Sequence, residues 1–268
     1  MRILFLGDVV GPSGCDSIKK NLKNQIEIKK INFVIVNGEN AADTGVGITE
    51  KISNEFFNSG IDVITTGNHV WDQKETIDHI NREDRLLRPY NLIDPSPGKG
   101  FGIYNSNNGF RVGVLNLMGN IFMKKSDDVF VASKKFLEKN TLKEDYDFLV
   151  VDFHGEITSE KMAAGHFFDG KASLVVGTHT HVPTSDTRIL NNGTGYQTDA
   201  GMCGDYNSVI GMNKENSMNK FFKKDAKKHF PSTGVASLSG VILDCDENTG
   251  LAKNIEPFIC GGDLKNTH

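Results

Sequence analysis

Short apolar runs, each closed by a small or polar residue, recur along the chain and predict strands buried on both faces. The run at 3–6 ends in Gly7-Asp8, that at 33–36 in Asn37-Gly38-Glu39-Asn40, and that at 63–64 in Thr65-Thr66-Gly67-Asn68-His69. Farther on, 112–115 precedes Asn116, 148–151 precedes Asp152-Phe153-His154, and 174–176 precedes Gly177-Thr178-His179-Thr180-His181. Helices are expected between the early strands, over 14–30 and 49–60, the second opened by Thr49-Glu50 and closed by Gly60. The chain therefore begins βαβαβ, an α/β fold. Its later part is punctuated by hairpin signals. Asn107-Asn108-Gly109 separates 101–104 from 110–115, and Asn191-Asn192-Gly193 follows 188–190, so a second, mixed sheet is expected.

Composition narrows the class without naming a function. The 268 residues are 38% hydrophobic and 24% charged, which excludes a disordered or collagenous chain. No repeat or linker divides them, so residues 1–268 read as a single domain. A net charge of -4 provides no bulk basic field for nucleic acid or anionic lipid. The lysine-rich stretch 220–228 reads as a solvated helix face or loop, because Phe221 and Phe222 are adjacent rather than interleaved as a stacking platform requires. Cys15, Cys203, Cys245 and Cys260 form no CxxC pair, as expected of reduced thiols. The opening apolar run is too short for a signal peptide and no run approaches a membrane span, so a cytoplasmic location is expected.

The chemistry gathers at the strand ends: Asp8, Glu39, Asn40, Asn68, His69, His154, His179 and His181. In α/β sheets, groups at the carboxyl ends of strands converge even when distant in sequence. Taken singly, Asp8 serves equally as a helix N-cap, Asn68-His69 as turn residues and His154 as a core histidine. His179 and His181 are harder to explain in this way, since period-two spacing places both imidazoles on one side of an extended segment. Carboxylate, amide and imidazole without cysteine suit Fe, Mn or Zn, and a lone Glu39 among two ligand groups points to a pair of ions. His79, His229 and His268 are expected in solvated positions, and His166 as a partly buried structural histidine.

The ordered motifs Gly7-Asp8, Asn37-Gly38-Glu39-Asn40, Gly67-Asn68-His69 and Gly177-Thr178-His179-Thr180-His181 resemble the calcineurin-like metallophosphoesterase superfamily. Residue 10 is Val where the superfamily pattern has His, and Glu39 stands where it has a bridging Asp. Those departures, with Ser159-Glu160-Lys161-Met162-Ala163 and Thr198-Asp199-Ala200-Gly201-Met202, resemble the YmdB-like 2',3'-cyclic-nucleotide 2'-phosphodiesterase family. The resemblance implies a four-layer α-β-β-α sandwich with two mixed sheets. It implies one metal on Asp8, Glu39, Asn40 and His181 and a second on Glu39, Asn68, His154 and His179, with Glu39 bridging and His69 the catalytic proton donor. Iron is the implied ion. The implied activity is hydrolysis of 2',3'-cyclic nucleotides, and of other phosphodiesters, to 3'-phosphates through a metal-bridging hydroxide. Gly155 and Cys203-Gly204-Asp205 depart from the family in expected loops, which bears on substrate preference.

Two rival readings remain. In the first, Gly7 to Gly14 after strand one marks a Rossmann-type nucleotide-binding enzyme, although the glycine spacing is not GxGxxG and three histidines are left without work. The second is a non-catalytic regulatory or RNA-binding protein on the same scaffold. RNA ends and a homo-oligomer are open as partners, a membrane is not.

Overall fold

The computed structural model describes residues 1–93 and 95–267; His268 lies outside them. In chain order the elements are β1 (Arg2–Leu6), β2 (Asp8–Val9), α1 (Gly11–Lys29), β3 (Phe33–Asn37), α2 (Glu50–Asn58), β4 (Val63–Thr65) and α3 (Thr76–His79). The second half contributes β5 (Phe101–Asn105), β6 (Arg111–Met118), α4 (Val129–Leu137), β7 (Phe148–His154), α5 (Thr158–Phe168) and β8 (Leu174–Thr178). It closes with β9 (Arg188–Ile189), β10 (Gly195–Gln197), β11 (Met202–Asp205), α6 (Lys214–Phe221), β12 (Ala236–Cys245) and β13 (Ala252–Cys260).

The strands form two mixed sheets. One runs β2-β11-β12-β1-β3-β4, with β13 also paired to β12, and the other runs β5-β6-β7-β8-β10-β9. Within the first, β1, β3 and β4 are parallel neighbours, while β12 is antiparallel to β1. Within the second, β6, β7 and β8 run parallel. Both expected hairpins form: β5 pairs antiparallel with β6 and β9 with β10.

Among the described residues, period-two alternation sorts most apolar side chains into three large cores, beside a small cluster of Val10, Met202 and Met212. Ile3, Phe5, Phe33 and Ile35 pack with Val112, Val114, Phe148 and Val150 between the sheets. Their alternates Leu4, Leu6, Val34 and Val36 face outward onto Ile18 and Leu22 of α1 and Phe56 of α2. On the far side, Leu115, Leu149 and Val151 meet Phe136 of α4 and Ala164 and Phe168 of α5. Strands covered on both faces explain the continuous apolar runs, and the result is the four-layer α-β-β-α sandwich that the resemblance implies.

Four local expectations need correction. The helix expected at 14 begins at Gly11, because Pro12 fits a first turn whose amide needs no helical partner. His79 is buried, not solvated, with Nε2 3.0 Å from Ser53 Oγ, since α3 packs that face onto α2. His166 is exposed, on the solvent side of α5. Residues 203–205 are not a loop but part of β11, which pairs with β2 and β12. The stretch 222–230 is exposed beyond the end of α6, as expected, and His229 lies within it. Among the described residues no helix is long and apolar enough to cross a membrane.

Candidate metal centre

The parallel strands of both sheets deliver the predicted side chains to one end of the sandwich. Asp8 follows β1, Glu39 and Asn40 follow β3, and Asn68 and His69 follow β4 in the first sheet. His154 ends β7, and His179 and His181 follow β8 in the second. Asp8, Glu39, Asn40, His154 and His181 are buried, whereas Asn68, His69 and His179 are partly exposed.

Each of three imidazoles is anchored through one nitrogen and presents the other. Thr178 Oγ1 donates to Asp152 Oδ1 at 2.7 Å, so it accepts from His154 Nδ1 at 2.9 Å. Asp152 also accepts from Thr65 Oγ1 and Asn37 Nδ2, which fixes this buried support. In the neutral ring, His154 Nε2 then carries a lone pair. It faces Glu39 Oε1 at 3.0 Å, Asn68 Oδ1 at 3.1 Å and His179 Nδ1 at 3.1 Å. The ligand atoms of Glu39, His154 and His179 all lie within 4.8 Å of one another. His179 is oriented from its other side by Glu156, whose Oε2 is 3.0 Å from Nε2. Carboxylate-backed imidazoles of this kind are the usual surroundings of a metal.

A second set lies beside the first. His181 Nδ1 is 2.8 Å from the Ile210 carbonyl, an acceptor only, so Nδ1 bears the hydrogen and Nε2 the lone pair. That Nε2 is 3.8 Å from Asp8 Oδ1, which is also 3.8 Å from His154. Asp8 Oδ1 and Asn40 Oδ1 are buried without a hydrogen-bond partner among the described residues, while Asp8 Oδ2 accepts from the His179 amide and Asn40 Nδ2 donates to the Gly45 carbonyl. A buried polar atom left unpaired costs on the order of 1–3 kcal/mol. Asp8 Oδ1 and His181 Nε2 face one another at 3.8 Å with no hydrogen between them, an arrangement that fits a cation, and carboxylate, amide and imidazole donors fit the ions anticipated from the sequence.

The electrostatics follow from burial and proximity. Burial raises the Asp8 pKa, against the lowering by His181 and His154. Burial also works against the charge on Glu39, but the His154 imidazole and the His69 amide outweigh it and hold the carboxyl down at about 2. For His154, burial is outweighed by Glu39, which lifts the imidazole to about 9. His179 is pushed down to about 3 by burial and then by neighbouring His154.

Backbone conformation corrects one expectation. Residues 179–181 are not extended: His179 has φ 100° and His181 φ 66°, so their imidazoles reach the site through a bend rather than by strand alternation. Ile210, which holds His181, is also left-handed at φ 49°. Left-handed backbone at non-glycine residues costs on the order of 1–3 kcal/mol apiece and persists where the surroundings enforce it. Gly67 shows how tightly the centre is packed, because a Cβ there would overlap both the His154 imidazole and the Glu39 carboxylate.

His69 stands apart from the convergent nitrogens. Its amide donates to Glu39 Oε2 at 3.0 Å, and its Nδ1 lies 2.6 Å from Asp72 Oδ2. Asp72 is a residue that strand-end patterning missed, since it lies in the turn beyond β4. Its offset of three from His69 was the available signal. The glycines at 11 and 14, which invited a dinucleotide reading, belong instead to the buried first turn of α1.

Comparison with known proteins shows the family and the fold. The chain is 44% identical over 263 residues to the 2',3'-cyclic-nucleotide 2'-phosphodiesterase of Bacillus subtilis (strain 168), covering 98% of each chain. A crystal structure of a hypothetical protein from Thermus thermophilus superposes with a TM-score of 0.90 at 36% identity, covering 98% of this chain and 100% of that one. A crystal structure of a phosphatase from Mycoplasma pneumoniae gives 0.89 at 35% identity, covering 98% and 94%. The family model for YmdB-like proteins matches residues 4–258, and the chain belongs to that family.

Proposed function

We propose that the protein is a binuclear-metal phosphodiesterase that opens 2',3'-cyclic nucleotides to 3'-phosphates. It is an enzyme of the phosphoric diester hydrolase class, and the name of its Bacillus subtilis relative supports both class and substrate. The observation that carries the reading is the convergence of Glu39 Oε1, Asn68 Oδ1 and His179 Nδ1 on His154 Nε2 at 3.0–3.1 Å. One hydrogen cannot serve three such acceptors at once, whereas a cation can.

On this reading one ion is held by Asp8, Glu39, Asn40 and His181, and the other by Glu39, Asn68, His154 and His179, with Glu39 shared. Iron is the ion implied by the family resemblance, and the same donors accept Mn or Zn. Bound there, the ions supply Lewis acidity toward phosphoryl oxygens and lower the pKa of water.

His69 acts as the proton donor to the departing 2'-oxygen. Asp72 accepts the Nδ1 hydrogen at 2.6 Å, fixes the ring and leaves Nε2 to hold the proton that is delivered. Lys124, with Nζ on the Asn68 carbonyl and 3.5 Å from Asp72 Oδ1, places a positive charge on the same side of the site. A cyclic phosphate at an RNA end presents the same diester as a cyclic nucleotide.

The test is a panel of 2',3'-cyclic nucleotides, 3',5'-cyclic nucleotides and linear diesters, assayed with and without chelator beside elemental analysis. The 2',3'-cyclic class should turn over fastest, and chelation should abolish turnover until metal is restored. Hydrolysis that is indifferent to chelation, or none by fully metallated protein, would overturn the proposal.

A further inference from the structure

Lys161 and Asp199 lie in the segments 159–163 and 198–202, which carry the family resemblance but have no part in the chemistry above. Both side chains are 1% exposed, and Lys161 Nζ is 2.6 Å from Asp199 Oδ2. The same oxygen accepts from the Thr180 amide at 3.1 Å and from Thr180 Oγ1 at 2.7 Å. Thr180 is the residue between His179 and His181. The other carboxylate oxygen accepts from the Gly201 amide at 2.9 Å.

The grip extends to both sides of the bend. The Asp199 carbonyl accepts from the Thr184 amide at 3.1 Å, and its own amide donates to Thr184 Oγ1 at 2.9 Å. Ala200 donates to the Gly177 carbonyl at 2.8 Å. Lys161 reaches Asp199 past Gly177, where a Cβ would overlap the Thr198 carbonyl and crowd the lysine stem. The segment that bears both imidazoles is therefore held before, at and after the two histidines.

We infer that Lys161 and Asp199 form a positioning pair which, by gripping Thr180, sets His179 and His181 at the angle metal binding requires. A buried ion pair contributes little net stability, because desolvation cancels much of its attraction. What this one supplies is geometry. The Asp199 oxygen receives three donors, one of them the buried lysine, so its position is fixed from three sides. With that oxygen fixed, the amide and hydroxyl of Thr180 are both committed, and His179 and His181 remain in their left-handed conformations. The inference rests on the metal-centre reading above.

The experiment titrates metal-stripped wild type, Thr180→Val, Thr180→Ser and the double variant Lys161→Met/Asp199→Leu with Mn2+ against a chromophoric chelator. Turnover as a function of Mn2+ concentration and thermal melting are followed in parallel. Loss of the supporting contact should weaken Mn2+ binding by ~10- to 100-fold in the valine and double variants. Thr180→Ser should retain wild-type affinity, and turnover in the weakened variants should recover at saturating Mn2+. Because Thr180→Val leaves the buried pair in place, it tests the idea even if the double variant fails to fold. Valine and serine variants that both match wild type in Mn2+ affinity would overturn the positioning role while leaving the metal centre standing. Wild type that takes up no Mn2+ would overturn the metal centre, and this inference with it.

Discussion

His154 Nε2 lies 3.0 Å from Glu39 Oε1, and the two side chains come from different sheets. Glu39 follows β3 in the first sheet, and His154 is the last residue of β7 in the second. The centre is thus built across the seam of the sandwich, where the apolar layer containing Ile35 and Val150 ends. A shared ligand at this place ties the two sheets together as well as the two proposed ions.

Removal of that carboxylate should therefore affect both ions. Glu39→Gln keeps the volume but removes the charge, and it should lose bound metal and turnover together. Elemental analysis of the purified variant checks this, and full occupancy with wild-type turnover would refute a shared role.

Gly67 tests the packing rather than the ligands. A methyl group at this position would overlap His154 and Glu39, so Gly67→Ala should displace both. A misplacement near 1 Å typically costs ~10²-fold in rate. The expected outcome is a folded protein by circular dichroism whose turnover falls by about that factor.

Much of this was legible in the sequence, and the parts that were not share a physical cause. Strand ends could be read from apolar runs, and the structure brings Glu39, Asn68, His154 and His179 together there, with Asp8 facing His181 beside them. Asp72, Thr178 and the Ile210 carbonyl escaped because their work is to orient an imidazole, and a supporting hydrogen bond leaves no periodic trace. The bend at 179–181 escaped because period-two spacing assumes extended backbone, whereas here left-handed φ at His179 and His181 goes with contacts to Asp199 and Ile210 that are distant in sequence. His79 was misread because its burial depends on where α3 docks rather than on its own helical neighbours.

For proton delivery, His69→Ala should lower turnover of a 2',3'-cyclic nucleotide by ~10²- to 10⁴-fold while metal content is unchanged. Asp72→Asn should cost less, because Nδ1 keeps a hydrogen-bond acceptor but loses its anionic one. Diesters with a nitrophenolate leaving group need little protonation and should be much less affected. Equal losses on both substrate types would exclude the donor role.

Metal-free protein should show a distinctive pH dependence of stability. Burial disfavours the His154 imidazolium, but Glu39 outweighs it and raises the folded pKa from 6.5 to about 9. A raised pKa means that protonation favours the folded state, so this contribution is complete below pH 6.5 and is lost as pH rises through about 9. Thermal melts of chelator-treated protein should fall across that window, and Mn2+ should abolish the fall by replacing the proton beside Glu39. A flat apoprotein profile would count against a protonated His154.

The most direct measurement is a crystal structure of protein grown with iron or manganese, with anomalous scattering recorded at the metal edge. Two peaks are predicted, one against Asn68, His154 and His179 and one against Asp8, Asn40 and His181, with Glu39 touching both. No anomalous peak among these side chains, or metal bound only elsewhere on the surface, would contradict the binuclear centre.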